Sequence, residues 1–192
     1  VRRFLRSSER GQSLVEMAVI IPFLMLLVLG AIEFGFLFTH SLSMEYATRE
    51  GARVAASLAN GGGPPTCTTV DDRVIAAVER VLESSGSPID ITEVLEVRIF
   101  KAGAQGQELG PVNVYVYTPG GGPVVDGVAL DFSRSGPVGW DACSRTNTQP
   151  ADSIGVGVRY RYVFQTPFLS LTGISSLTWY DTTVMALNPT GN

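Results

Sequence analysis

From Met17 to Ile32 the chain has sixteen residues without a charge, and past Glu33 the apolar character continues through Phe34, Phe36, Leu37 and Phe38. Residues 17 to 38 predict a helix of about 33 Å at roughly 1.5 Å per residue, long enough to cross a bilayer core of about 30 Å. Beyond it Phe38, Leu42 and Tyr46 recur at every fourth position. Ala47, Ala52, Ala55, Ala56 and Ala59 add strong helix formers, so the same helix is predicted to run to about Asn60. Asn60-Gly61-Gly62-Gly63-Pro64-Pro65 then stops it, with left-handed formers followed by prolines. A single helix of about 48 residues would be roughly 70 Å long, half in lipid and half in water.

Thr69-Val70-Asp71-Asp72 offers an N-cap and an acidic first turn for a second helix, on which Val74, Ile75, Val78, Val81 and Leu82 form one apolar stripe before Ser84-Ser85-Gly86. Alternation predicts strands. Leu95, Val97 and Ile99 stand against Glu96 and Arg98; Val112, Val114 and Val116 against Asn113, Tyr115 and Tyr117. Ile154, Val156, Val158, Tyr160 and Tyr162 alternate with Gly155, Gly157, Arg159 and Arg161, and a fourth strand runs through Leu177 to Leu187. The fold class that follows is α+β: a long N-terminal helix, and a head in which the second helix packs on an antiparallel sheet of about four strands. Residues 118 to 152, rich in Gly, Pro, Ser, Asp and Thr, read as a long surface loop. Trp140 within it is either a docking anchor or a pin to its own domain.

Charge adds a membrane and an orientation. Residues 1 to 11 carry Arg2, Arg3, Arg6 and Arg10 against Glu9, a local +3 in a chain whose net charge is -4, leaving -7 for the rest. Arginines on that flank hold the N-terminal end in the cytoplasm and place everything from about residue 41 outside. Only 17% of the residues are charged, below the usual ~25% of a soluble domain. A cleaved secretory signal would share the basic start, but this apolar run is too long and no small-x-small site follows it. The membrane helix contains Met17, Pro22, Gly30 and Glu33; Pro22 is expected to kink it and Glu33 to sit at the outer interface, with His40 solvated just beyond.

Between the arginines and the apolar run stands Arg10-Gly11-Gln12-Ser13-Leu14-Val15-Glu16-Met17. A carboxylate at the membrane edge costs free energy and calls for a partner. Cutting after Gly11 would supply one, because the new amine on Gln12 of one subunit can neutralise Glu16 of a neighbour displaced along the helix axis. This run resembles the class III signal of type IV pilin-like proteins. With Ala18-Val19-Ile20-Ile21-Pro22 and the later Ala47-Thr48-Arg49-Glu50-Gly51-Ala52-Arg53, it resembles the TadE-like family, minor pseudopilins of the Tad (tight adherence, Flp) pilus machinery. The resemblance is densest over residues 10 to 56. It implies that a prepilin peptidase removes 1 to 11 as a basic leader, with Gly11 and Gln12 flanking the cut and Glu16 serving recognition and assembly. Partners would be that peptidase, other pilin and pseudopilin subunits, and membrane lipid. Met17 stands where the major Flp pilins carry a tyrosine, which favours a minor subunit. The implied organisation is a helix over 12 to 60, a linker over 61 to 69 and an extracytoplasmic head over 70 to 192, the lollipop shape of pilins.

The two cysteines, Cys67 and Cys143, both fall on the outer side, where disulfides persist, so a bridge between them is expected. Catalysis finds no footing: His40 is the single histidine, and no nucleophile elbow, dinucleotide or phosphate-loop sequence occurs. No cofactor or small-molecule substrate is expected. Asp126, Asp131, Asp141 and Asp152 lack the spacing of a compact calcium loop and read as solvated carboxylates. An acidic pI near 5.0 argues against nucleic acid. The alternative from another class is a single-pass anchored extracellular binding domain that is neither processed nor polymerised.

Overall fold

The computed structural model describes residues 8–166 and 173–188, with side chains from Gly11 onward. Arg2, Arg3 and Arg6 of the expected leader lie outside the described residues. Two compact units emerge. One holds the described residues up to Phe38 together with those of Val163–Ser176; the other holds Thr39–Tyr162 and the chain from Leu177.

Helix α1 is Ser8–Leu58 and contains Pro22. It ends where Ala59, Gly61, Gly62 and Gly63 all take positive φ. At Gly61 (φ +65°) a Cβ would also come within 2.9 Å of Cys67 Cα and Val70 Cγ2, so the turn demands glycine twice over. In the first unit α1 leaves its apolar side chains uncovered: Leu14 is 72% exposed and Phe34 68%. The segment is long and apolar enough to cross a membrane.

In the second unit Ala47, Ala52, Ala55 and Ala59 are buried, so the alanines read as helix formers are also the packing surface of α1. At Gly51 a Cβ would stand 2.6 Å from Val78 Cγ2 and 3.0 Å from Val156 Cγ1. That closeness lets α1 meet both helix α2 (Val70–Leu82) and the sheet. The acidic first turn of α2, Asp71 and Asp72, is present, while Thr69 makes no side-chain cap.

The sheet has five strands: β1 (Val94–Ala102), β2 (Glu108–Tyr117), β5 (Phe132–Ser135), β6 (Ser153–Val163) and β7 (Ser176–Ala186). Their order is β5-β2-β1-β6-β7, with β1/β2, β1/β6 and β2/β5 antiparallel. A small hairpin, β3 (Val124–Val125) and β4 (Val128–Ala129), lies apart. The fifth strand comes from the stretch read as a loop: within 118–152, Phe132 is fully buried and Leu130 4% exposed. Glycine and proline content hid it, because those residues build the turns around two or four strand residues.

Two facings differ from the alternation. In β2 the buried residues are Asn113 and Tyr115, not the valines. Tyr115 brings a larger apolar body to the inner face opposite Val97, and Asn113 finds polar partners there. In β1 an irregularity between Val94 and Glu96 turns Leu95 outward, 38% exposed, and buries Val94 instead. β6 follows its pattern, with Ile154, Val156, Val158, Tyr160 and Tyr162 all buried.

Candidate functional site

The residues expected to govern processing and assembly lie on the first turns of α1. Gly11, Gln12, Glu16 and Met17 are exposed, and the Gln12 side chain donates to Glu16 Oε1 at 3.1 Å, one helical turn apart. Pro22 and Gly30 lie farther along the same apolar stretch, and nothing stands within 4 Å of a Cβ at Gly30 or Gly11. These positions form an uncovered helical surface, with one carboxylate near its start.

Glu33, expected at the outer interface, is only 4% exposed. Its Oε1 accepts the backbone N–H of Gln165 at 3.1 Å, and Oε2 that of Thr166 at 2.7 Å. Two amides just past β6 thereby share one carboxylate, as charge-assisted bonds that offset its desolvation. His40, expected in solvent, is 8% exposed. Its ring packs edge-on to Tyr162 with centroids 4.9 Å apart, and lies 5.9 Å from Tyr160. The two tyrosines of β6 cover it, a contact that alternation assigned to the core without naming the histidine.

Cys67 and Cys143 form the disulfide, with Cα atoms 5.0 Å apart and a sequence separation of 76. The segment 61–69 is therefore more than a linker: Thr66–Thr69 is a 3-10 turn and Cys67 is fully buried. Beside the bridge lies a network that sequence reasoning missed. The Arg145 side chain is wholly buried and pairs with Asp71 Oδ1 at 2.6 Å. Asp71 Oδ2 accepts Asn113 Nδ2 at 2.7 Å, and Asn113 in turn binds the Trp140 carbonyl at 2.8 Å and the amides of Gly139 and Trp140 at 2.7 and 3.0 Å. Arg145 also stacks 4.6 Å from the Trp140 ring. Trp140 is thus a pin to its own domain. The available signal was an asparagine among valines and an arginine two residues past a cysteine.

The four aspartates do not gather. Asp141 caps the 3-10 turn Ala142–Ser144, and Asp152 pairs with Lys101 at 2.6 Å. Asp126 takes a positive φ (51°) beside Gly127. Asp131 instead meets Glu79 and Glu83, with carboxylate oxygens all within 4.8 Å of one another. Burial above all pushes the Glu79 carboxyl up to about 7, while the N–H of Asp131 acts against that. Burial and the Asp131 charge also raise Glu83. On the other side of the sheet Arg98 grips Glu108 through two nitrogens, at 2.9 and 2.6 Å, and holds its carboxyl below the ordinary value.

A groove of about 400 Å³ opens between α1, α2 and β7, with Tyr46, Ala77, Val81 and Met185 around the guanidinium groups of Arg49, Arg53 and Arg80. Arg49 pairs with Glu45 and Arg53 with Glu50. Glu50 also lines the groove, so its charge is mixed and two of its three cations already hold carboxylates.

No curated protein and no solved structure matches the chain. Its first turns, the whole apolar run and the Arg49-to-Arg53 turn are what a comparison with family models picks out: residues 11–53 are similar to the family described as TadE-like protein.

Proposed function

We propose that the chain is a minor pseudopilin of a Tad/Flp pilus, a structural subunit and not an enzyme. In this reading a prepilin peptidase cuts after Gly11 on the cytoplasmic side and Gln12 becomes the mature N-terminus. α1 anchors the product in the inner membrane, with the disulfide-bonded remainder outside. The observation that carries it is the coincidence of the TadE-like match, residues 11–53, with a helix whose apolar side chains are uncovered, Leu14 at 72%, Phe23 at 61% and Phe34 at 68% exposed. Such a surface demands lipid or other helices. Assembly proceeds by exchange of lipid for neighbouring helices, with the Gln12 amine of one subunit meeting Glu16 of the next. The intrahelical Gln12–Glu16 bond is solvent-exposed and easily given up for a charged partner.

The test is the N-terminus of the membrane-extracted protein, by intact mass and N-terminal peptide sequencing, from cells with and without a prepilin peptidase. A start at Gln12 that disappears in Gly11→Arg is the expected result. An uncut N-terminus in both cells overturns it and leaves an anchored binding domain.

A further inference from the structure

Nineteen consecutive residues, Tyr162 to Tyr180, carry no charge, in a part of the chain flanked by Arg161 and Asp181. β6 and β7 alone do not need this. In its second half strand β6 sets exposed Arg159 and Arg161 between buried Val158, Tyr160 and Tyr162, as a half-solvated strand should. The described flanks of the β6–β7 connection, 163–166 and 173–176, belong to the same compact unit as the apolar half of α1. They are closed on each other by the Phe164 N–H donating to Ser175 O at 3.1 Å. They are joined to α1 by the two amides on Glu33.

Position fixes the depth. Glu33 lies sixteen residues past Met17 and five before Phe38, about 8 Å inside the outer end of the predicted span. Backbone held at hydrogen-bonding distance from that carboxylate lies at the bilayer boundary. There an unpaired amide costs several kcal/mol and charged side chains are excluded. Both requirements are met, since Gln165 and Thr166 give their N–H groups to Glu33 and the segment is charge-free. Two of its described apolar side chains are exposed, Val163 at 40% and Ile174 at 52%, as are Ile32 at 45% and Phe34 at 68% on α1 in the same unit.

We propose that the described flanks of the β6–β7 connection, 163–166 and 173–176, form a second membrane-contact element. They enter the headgroup–acyl boundary of the outer leaflet, the lipid being the partner, and Glu33 pins them to α1. The inference rests on α1 spanning the bilayer.

The test uses the full-length protein with its native disulfide intact, reconstituted in phosphatidylcholine–phosphatidylglycerol vesicles. An environment-sensitive fluorophore is placed on a single added cysteine, Ile174→Cys, Leu26→Cys or Val128→Cys, and quenched by lipids spin-labelled at shallow or deep acyl positions. Leu26→Cys should be quenched most by the deep label, Val128→Cys by neither, and Ile174→Cys by the shallow label at least twofold more than by the deep one. Adding Glu33→Ala should cut the shallow quenching of Ile174→Cys at least twofold, with Glu33→Gln keeping part of it through its remaining acceptor. Quenching at Leu26→Cys with none at Ile174→Cys overturns the second contact alone. Absence of quenching at Leu26→Cys overturns the span, and the second contact with it.

Discussion

Replacing Asp71 by alanine removes the one carboxylate that, among the described residues, pairs directly with the buried Arg145. The Arg145 side chain has no exposed surface, and its Nε and Nη1 make no hydrogen bond among the described residues. Its charge is therefore met by Asp71 at 2.6 Å, with the Trp140 carbonyl at 3.4 Å from the same Nη2 as a distant second. Truncation strands the guanidinium and also frees the Asn113 amide donor that Asp71 binds at 2.7 Å. Breaking a buried pair on one side costs about 3–5 kcal/mol. At roughly 2–4 °C per kcal/mol for a chain of this size, the melting temperature should fall by about 6–20 °C. The assay is thermal unfolding of the oxidised full-length protein in detergent, followed by near-ultraviolet circular dichroism, to which Trp140 contributes. Asp71→Leu combined with Arg145→Met removes both charges, so its loss should be well below the sum of the single losses. Strict additivity, or an Asp71→Ala loss under about 1 kcal/mol, would refute the claim that Asp71 neutralises Arg145.

Other consequences can be checked on the same preparation. Cys67→Ser with Cys143→Ser opens a 76-residue loop and should lower stability by about 2–4 kcal/mol in urea unfolding; no change in midpoint would mean that the Asp71 network alone holds the two segments together. Gly51→Leu pushes a side chain into Val78 and Val156 and should cost at least about 1–3 kcal/mol, while an unchanged melt would show that α1 has room to move. Glu79, with its carboxyl raised to about 7 in the folded state, contributes stability that is full below its ordinary value near 4.5 and is lost as pH rises through about 7. Wild type should therefore lose stability between pH 5 and 8 relative to Glu79→Gln, and a constant difference between the two proteins across that range would contradict the shift. Glu108 has the opposite sign, since Arg98 lowers its carboxyl. Its contribution disappears on acidification below the ordinary range, and Glu108→Gln should flatten that acid limb.

Hydrophobic periodicity made the long helix, α2 and four strands legible, because each repeats its period over enough residues to average out local exceptions. The helix stop at Asn60 to Pro65 was legible within two residues of the observed end at Leu58, since positive-φ glycines have few other uses. β5 was not, as four residues in a stretch of turn formers carry no period. Nor was the inner face of β2. Valine and tyrosine both suit a strand, and the choice went to the face where Asn113 could find Asp71 and Trp140, from 42 and 27 residues away. Polar burial is set by partners distant in sequence, and one sequence does not pair them. The disulfide was the exception, because two cysteines allow one pairing.

Glu33 and His40 are the only titratable side chains between Met17 and Met44, and both are buried. On an apolar helix such groups act as register marks. If the flanks sit at the bilayer boundary as proposed, the amides of Gln165 and Thr166 need acceptors there, and the backbone carbonyls of α1 are already used within the helix. A slip of one turn, about 5.4 Å, would set these amides against Leu29 or Leu37, neither of which accepts a hydrogen bond. Each amide left unpaired would cost about 1–3 kcal/mol, and Glu33 would lose these two donors as well. A position chosen by apolar contact alone could drift along a helix so uniform. The single carboxylate removes that freedom, so its placement five residues before Phe38 fixes where the returning chain meets α1.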